Sequence, residues 1–315
     1  MKFKKIKNLK FGIIGYGSIG KIHKLNIEKL GYSTLIYDPK IDNTKKKYLK
    51  KISEINRTCS SVIISSPSNT HLKYLKYFVE KKKHIFIEKP FTHEIKKTSE
   101  IIKSAIKNKT IIALNYNLRV RSSIVLLKEI LKKIKKIYWS NFIMSSNVLD
   151  WRKQYSFKKN YTHNKIAGGI IFDSIHEIDL NNFLFKNVNF INSFKSNFNE
   201  KIFKNTSFAN INLLIDKKFC SNIQLDYQGD PDIRKLDILT DKGLIKVDIK
   251  KNHLKIFNKK NKLKFFKRFN PTKNKDYMKM LKNFISCIKN SSIKPICNSE
   301  DGLKNIEIVL KANEK

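Results

Sequence analysis

The chain has 315 residues, enough for about two domains with sizeable cores, and its 41% hydrophobic content is ordinary for a globular protein. Its net charge of +40 is not ordinary: of 66 basic residues six are Arg, leaving 60 Lys spread along nearly the whole sequence among abundant Asn and Ile. Nucleic-acid readers concentrate charge on one face and use Arg for bidentate contacts, so this uniform excess argues against specific nucleic-acid recognition and leaves only non-specific affinity for polyanions at low salt.

Residues 11–20, Phe-Gly-Ile-Ile-Gly-Tyr-Gly-Ser-Ile-Gly, run an apolar strand straight into G-x-G-x-x-G, and residues 18–30 then read as a helix. In such a loop Gly15 permits the tight turn, Gly17 lets the backbone approach a pyrophosphate, and Gly20 lets helix and strand pack closely. The diphosphate is expected on the helix N-terminus, beside Tyr16, Ser18 and Ile19, where free N–H groups and the helix dipole favour an anion. Asp38 ends the next strand, 23 residues after Gly15, where an acid accepts hydrogen bonds from the adenosine ribose. Its carboxylate repels a 2′-phosphate, so NAD is favoured over NADP.

Strand and helix go on alternating: 61–65, 70–82, 84–88, 93–107 and 110–114. This alternation predicts a parallel sheet with crossover helices, whose ligands bind beyond the carboxyl ends of the strands. The segments to inspect are therefore 15–20, Asp38, 65–69, 88–90 and 115–119. After about Arg119 the pattern changes. A helix over 121–134 and a strand over 137–144 precede a loop carrying Trp151, Arg152, Tyr155 and Tyr161. Ala167-Gly168-Gly169 then opens an apolar helix. Strand-like runs fill 190–266, with Asp241-Lys242-Gly243 as a hairpin turn, and helices over 276–289 and 299–311 close the chain. The expected fold is α/β: a Rossmann dinucleotide-binding domain over 1–118, then an α+β domain over 119–315 with a largely antiparallel open sheet. The four cysteines lack metal-ligand spacing, no run reaches the ~18 apolar residues of a membrane span, and a cytoplasmic protein is expected.

Three elements have the residue types for chemistry. Lys89, in Glu88-Lys89-Pro90, follows a strand and is held extended by Pro90, so its ammonium is placed to meet a substrate oxygen. Asp173, His176 and Asp179 are spaced by three, which on one continuous helix puts them along one face. A His beside a carboxylate suits proton transfer near neutral pH; the alternative is a buried polar cluster between helices. No metal is expected, because Leu180 stands where a zinc-protease motif has its second His. Arg119, in Asn115-Tyr116-Asn117-Leu118-Arg119, either holds a ligand or pairs with a buried acid.

These elements and their order resemble the Gfo/Idh/MocA family of NAD(P)-dependent oxidoreductases over nearly the whole chain. The glycine loop, Ser66-Pro67-Ser68-Asn69-Thr70-His71, Glu88-Lys89-Pro90, Asn117-Leu118-Arg119, the Gly168 to Asp179 run and Asp301-Gly302-Leu303 all look like family motifs. The resemblance implies cofactor contacts from Ser66, Pro67, Asn69, His71, Glu88 and Lys89. It implies catalysis by Lys89, His176 and Asp173, and substrate contacts from Asn117, Arg119, Trp151, Arg152, Asp173 and His176. It further implies a sugar, nucleotide-sugar or polyol substrate and a homo-oligomer assembled through the open sheet. Many members place the Asp four residues before the His and have a third glycine at Ala167. The shorter spacing here, with Trp151-Arg152, looks like members linked to surface-polysaccharide and nucleotide-sugar metabolism. Two rival readings share the motifs: non-redox bond cleavage or epimerisation with transient use of NAD, and a non-catalytic NAD-binding sensor.

Overall fold

The computed structural model describes residues 9–41, 48–151, 167–198, 200, 202–270 and 274–314. The chain divides into two compact units, one formed by 1–117 with 273–306 and the other by 118–272 with 307–315.

In the first unit the chain runs β1 (Lys10–Ile14), α1 (Ser18–Lys29), β2 (Ser33–Tyr37), α2 (Ile52–Thr58), β3 (Ser61–Ile64), α3 (His71–Glu80), β4 (His84–Ile87), α4 (Ile95–Lys107) and β5 (Ile112–Leu114). The strands form one sheet in the order β2-β1-β3-β4-β5, and every neighbouring pair is parallel. Parallel strands are covered on both faces and so read as unbroken apolar runs rather than alternating ones. That is what Phe11, Ile13 and Ile14, Val62-Ile63-Ile64 and Ile85-Phe86-Ile87 supply, all of them fully buried. Each such side chain contributes roughly 1.5–3 kcal/mol by leaving water. The periodicity of α4 is equally legible, since Thr98, Ile101, Ile102 and Ala105 make one buried stripe.

The second unit begins with α5 (Ser122–Leu131) and β6 (Ile137–Ser145), followed by α6 (Ile170–Asp173) and α7 (Ile175–Leu184). Seven strands follow: β7 (Val188–Ser196), β8 (Phe208–Ile215), β9 (Phe219–Asp226), β10 (Ile233–Thr240), β11 (Gly243–Asp248), β12 (His253–Phe257) and β13 (Leu263–Arg268). Helices α8 (Lys275–Lys289), in the first unit, and α9 (Ser299–Asn313) complete the chain. The eight strands form one sheet in the order β13-β12-β11-β10-β6-β9-β8-β7, antiparallel except for the parallel pair β6 and β9. Here the burial alternates, as expected for a sheet covered on one face: Ala209, Ile211, Leu213 and Ile215 of β8 are buried, and the residues between them are half-exposed. On the half-exposed face a row of amides crosses three strands. Asn212 Nδ2 donates to Asn192 Oδ1 at 2.8 Å, and Asn222 Nδ2 donates to Asn210 Oδ1 at 2.6 Å and to Asn212 Oδ1 at 2.9 Å. The β10–β11 hairpin turns through Asp241 and Lys242 to Gly243, whose φ of 124° suits only glycine. Among the described residues no helix is long and apolar enough to cross a membrane.

Candidate active site

The glycine loop sits as its spacing predicts. Gly15 has φ +88°, and a Cβ there would fall 2.6 Å from the Ser66 backbone; a Cβ on Gly20 would fall 2.2 Å from the Gly15 carbonyl oxygen. Side chains at these positions would push the loop away from β3 and from α1. Gly17 differs: a Cβ there meets no protein atom within 4 Å. Gly17 and Ser18 are exposed, and α1 starts without a side-chain cap or an acidic residue in its first turn. Its leading N–H groups thus face open space with the positive end of the helix dipole behind them, the chemistry a diphosphate needs. Asp38 stands next to the loop, half-exposed. Its Oδ2 accepts from the Tyr16 N–H at 2.7 Å and its Oδ1 from the Lys40 N–H at 3.0 Å, which leaves each oxygen capacity for a ribose hydroxyl. These residues fit NAD.

Behind β3 and β4 the loops are tied together from within. His71 is buried, with Nδ1 2.8 Å from the Pro90 carbonyl oxygen and Nε2 3.0 Å from that of Ser66. Burial pushes its pKa below the ordinary histidine value, although the two carbonyls and the Glu88 charge pull the other way. A neutral ring donates to only one of the two carbonyls. Both nitrogens face main-chain oxygen, so His71 shapes the two loops from inside, and the cofactor contact expected of it is not available to its ring. Ser66 Oγ and Thr70 Oγ1 lie 2.7 Å apart, and Thr70 also donates to the Pro67 carbonyl at 2.7 Å, which closes the turn around Asn69.

Glu88 directly follows β4 and also turns inward. Its Oε1 accepts from His23 Nε2 and from Asn115 Nδ2, each at 2.7 Å. Burial alone would raise its pKa, but the His23 hydrogen bond and charge, Asn115 and the neighbouring Lys89 outweigh that and hold the carboxyl below the usual range. His23 is itself fully buried, with Phe86 and Tyr277 packed edge-on at 5.5 and 6.0 Å. Motif spacing did not single it out; its place on α1, three residues after Gly20 and in an apolar stripe, is the local sign. Lys89 follows, half-buried, with a cis peptide to Pro90. Asn117 lies half-buried in the short turn 117–120 after β5.

In the second unit the expected row of Asp173, His176 and Asp179 is broken. The helix stops at Asp173, Ser174 (φ −103°, ψ 28°) leaves helical geometry, and α7 restarts at Ile175. Ser174 Oγ points at Met144 Sδ, 3.1 Å away. The two acids consequently have separate partners. Asp179 is paired with Arg119: Nε lies 2.9 and 3.1 Å from its two oxygens, and an NH2 nitrogen lies 2.7 Å from Oδ1. Both side chains are buried, and the guanidinium also lies 5.1 Å from the Phe183 ring centre. Of the two alternatives for Arg119, the geometry is that of the structural ion pair, and the same contacts occupy Asp179.

Asp173 is nearly buried, and its Oδ2 accepts from the Tyr227 hydroxyl. His176 is half-buried on the first turn of α7. The neighbouring Glu177 is buried under Arg234, which donates Nε at 2.6 Å and an NH2 nitrogen at 3.0 Å. Trp151 donates Nε1 to Ser146 Oγ at 2.7 Å and presents its ring edge to Tyr227. Arg152, Tyr155 and Tyr161 lie outside the described residues. Tyr227, Arg234 and His23 come to their acids from far along the sequence and carry no local motif.

Residues 9–116 match the family model of the Gfo/Idh/MocA group, described as an oxidoreductase family with an NAD-binding Rossmann fold. The chain is 27% identical over 187 residues to the uncharacterized oxidoreductase YrbE of Bacillus subtilis (strain 168), covering 55% of this chain and 53% of that protein. It is 25% identical over 185 residues to the myo-inositol 2-dehydrogenase of Thermotoga maritima, again 55% and 53% of the two chains. The chain thus spans about half the length of the curated relatives it matches. In three dimensions it is similar to the UDP-N-acetylglucosamine 3-dehydrogenase GnnA of Acidithiobacillus ferrooxidans, with a TM-score of 0.80 at 16% identity over 97% of this chain and 96% of that one. At such identity the likeness is one of fold. With the glycine loop, Asp38 and the parallel sheet in place, residues 9–116 have the NAD-binding Rossmann fold that the Gfo/Idh/MocA family model describes.

Proposed function

We propose that this oxidoreductase moves a hydride between the hydroxyl-bearing carbon of a sugar, nucleotide sugar or polyol and NAD. The observation that carries the reading is His176, an imidazole half-buried on the first turn of α7. This is the equipment of a general base at neutral pH. Family and relatives support the class of substrate: one relative is a myo-inositol 2-dehydrogenase and one structural neighbour acts on a UDP-sugar.

NAD, when bound, accepts or returns the hydride; the remaining work falls to side chains. The N–H groups at the start of α1 and the Asp38 carboxylate hold its diphosphate and ribose. His176 takes the substrate hydroxyl proton as the C–H bond breaks, and Asp173 supports the imidazolium that forms. Lys89 hydrogen-bonds the same oxygen and stabilises its developing negative charge. Trp151 borders the sugar. In this reading residues 1–118 serve the cofactor and 119–315 the substrate, and the open sheet face joins copies into a homo-oligomer.

The test is a screen of nucleotide sugars, free sugars and polyols, following NADH absorbance together with product analysis. Substrate-dependent NADH and a keto product support the reading. Product formed without net NADH would move the chain to the bond-cleaving or epimerising class, and NAD binding with no turnover of any class would make it a sensor.

A further inference from the structure

Tyr227 lies just beyond β9, at the carboxyl ends of the parallel β6–β9 pair. The main chain there is pinned on both sides. Val148 N–H donates to the Tyr227 carbonyl at 3.1 Å, Asn147 N–H to that of Gly229 at 2.8 Å, and Ser146 N–H to that of Asp226 at 3.2 Å. Asp226 Oδ1 also accepts from Ser145 Oγ at 2.7 Å and from Gln228 N–H at 2.9 Å. The Tyr227 ring is 2% exposed; it stacks on Phe203 at 5.6 Å and 25°, and meets the edge of Trp151 at 5.6 Å and 81°. A phenylalanine would fill this slot equally well. What the tyrosine adds is a hydroxyl in a dry place, where a polar group is costly unless it is bonded. That hydroxyl donates to Asp173, a nearly buried carboxylate that likewise needs donors to stay ionised.

We propose that Tyr227 is a positioning residue: its phenol fixes the Asp173 carboxylate in the orientation and charge state that lets His176 act as proton acceptor. The inference rests on the hydroxyl-oxidising reading above and adds to it a group that no motif identifies. Ser174 gives the arrangement its reason. Because the helix breaks there, Asp173 is not carried by α7, and a fixed partner just beyond the end of β9 sets its position instead.

The test uses the full chain and Tyr227→Phe, which keeps the ring and its packing. A hydrogen bond to a charged group corresponds to about a 10- to 100-fold fall in kcat, with KM within about twofold of wild type. The acid limb of the kcat/KM profile moves to higher pH, because the carboxylate has lost a donor. In an Asp173→Asn background the same change alters kcat by less than about twofold, since the group it acts through is already gone. Equal losses in both backgrounds, or an earlier melt with an unmoved pH profile, overturn the proposal. A second readout needs no turnover: the tyrosinate absorbance lost on Tyr227→Phe titrates at higher pH in the wild-type background than in Asp173→Asn. Coincident titrations overturn the pairing. A wild-type protein that turns over none of the sugars, nucleotide sugars or polyols sinks the functional reading and the positioning role with it. Normal wild-type turnover that survives Tyr227→Phe sinks the positioning role alone.

Discussion

Replacing Arg119 by Met separates a structural ion pair from a ligand-binding arginine. The guanidinium makes three N–H···O contacts of 3.1, 2.9 and 2.7 Å to Asp179, and the two side chains are 3% and 0% exposed. Methionine has a similar reach but no charge, so Asp179 would be left ionised in a dry site. Removing one partner of such a pair typically costs about 3–5 kcal/mol, because the other charge stays uncompensated. For a unit of this size that corresponds to a fall in Tm of about 6–20 °C. Two compact units make a single two-state fit unsafe, so the assay is hydrogen exchange read by mass spectrometry during a urea titration, peptide by peptide. Peptides covering α7 and β6 should lose protection at markedly lower urea, while those covering β1 and β3 hold. NAD affinity, measured by calorimetry, should change by less than about threefold. Arg119→Met with Asp179→Leu should recover most of the loss, since apolar replacement of both charges is often neutral. Wild-type protection in α7, joined to a large rise in the KM of a substrate, would refute this reasoning and return Arg119 to the ligand.

Other predictions follow from the same geometry. Lys89→Ala or His176→Ala should lower turnover by about 10²–10⁴-fold while NAD binding stays near wild type, checked by stopped-flow and calorimetry; near-normal turnover in both ends their assignment. Asp38→Ala should weaken NAD about tenfold and narrow its advantage over NADP, because a hydrogen-bonding anion and its repulsion of a 2′-phosphate both disappear; an unchanged NAD/NADP ratio counts against the role. Stability should fall on acidification in two stages. His71 and His84 are held below the ordinary value of 6.5 by burial, so the unfolded chain binds more protons than the folded one below that pH, and stability present above 6.5 declines beneath it. His84 Nδ1 also accepts from the Ile111 N–H at 3.2 Å, a bond that protonation abolishes. Glu88 adds a second stage: its carboxyl is held below the ordinary value of 4.5, so its contribution is present above 4.5 and lost as pH falls further. Glu88→Gln should flatten the second stage in urea melts and leave the first intact; an unaltered second stage assigns it elsewhere.

The cofactor half was legible because its information is local. Strands buried on both faces must be runs such as Val62-Ile63-Ile64, and a phosphate loop must have glycine where Cβ atoms would strike Ser66 or the Gly15 carbonyl. The substrate half was legible in its residues but not in their alliances. The Gly168 to Asp179 stretch reads as one helix, since Ile170, Ile171, Ile175 and Ile178 continue a buried pattern straight through Ser174. Nothing local marks the break there, so the three-residue spacing suggested a row that does not form. The partners are remote: Tyr227 is 54 residues from Asp173, Arg234 57 from Glu177, and His23 65 from Glu88. Such pairs are set by sheet topology. The parallel β6–β9 pair inside an otherwise antiparallel sheet is likewise invisible to strand periodicity.

The amide row of Asn192, Asn212, Asn222 and Asn210 has a consequence for a chain of net charge +40. Elsewhere a lysine-coated surface repels any like-charged neighbour until salt screens it. Here the side chains that face outward are dipoles already bonded to one another, with no net charge and no free rotamers to freeze. Two such molecules meeting on this face would forgo the repulsion the rest of the coat imposes, and their affinity would respond weakly to ionic strength. The strip also resists mispairing: a slip of one residue in β8 would turn Asn210 and Asn212 into the core and Ile211 and Leu213 out to water.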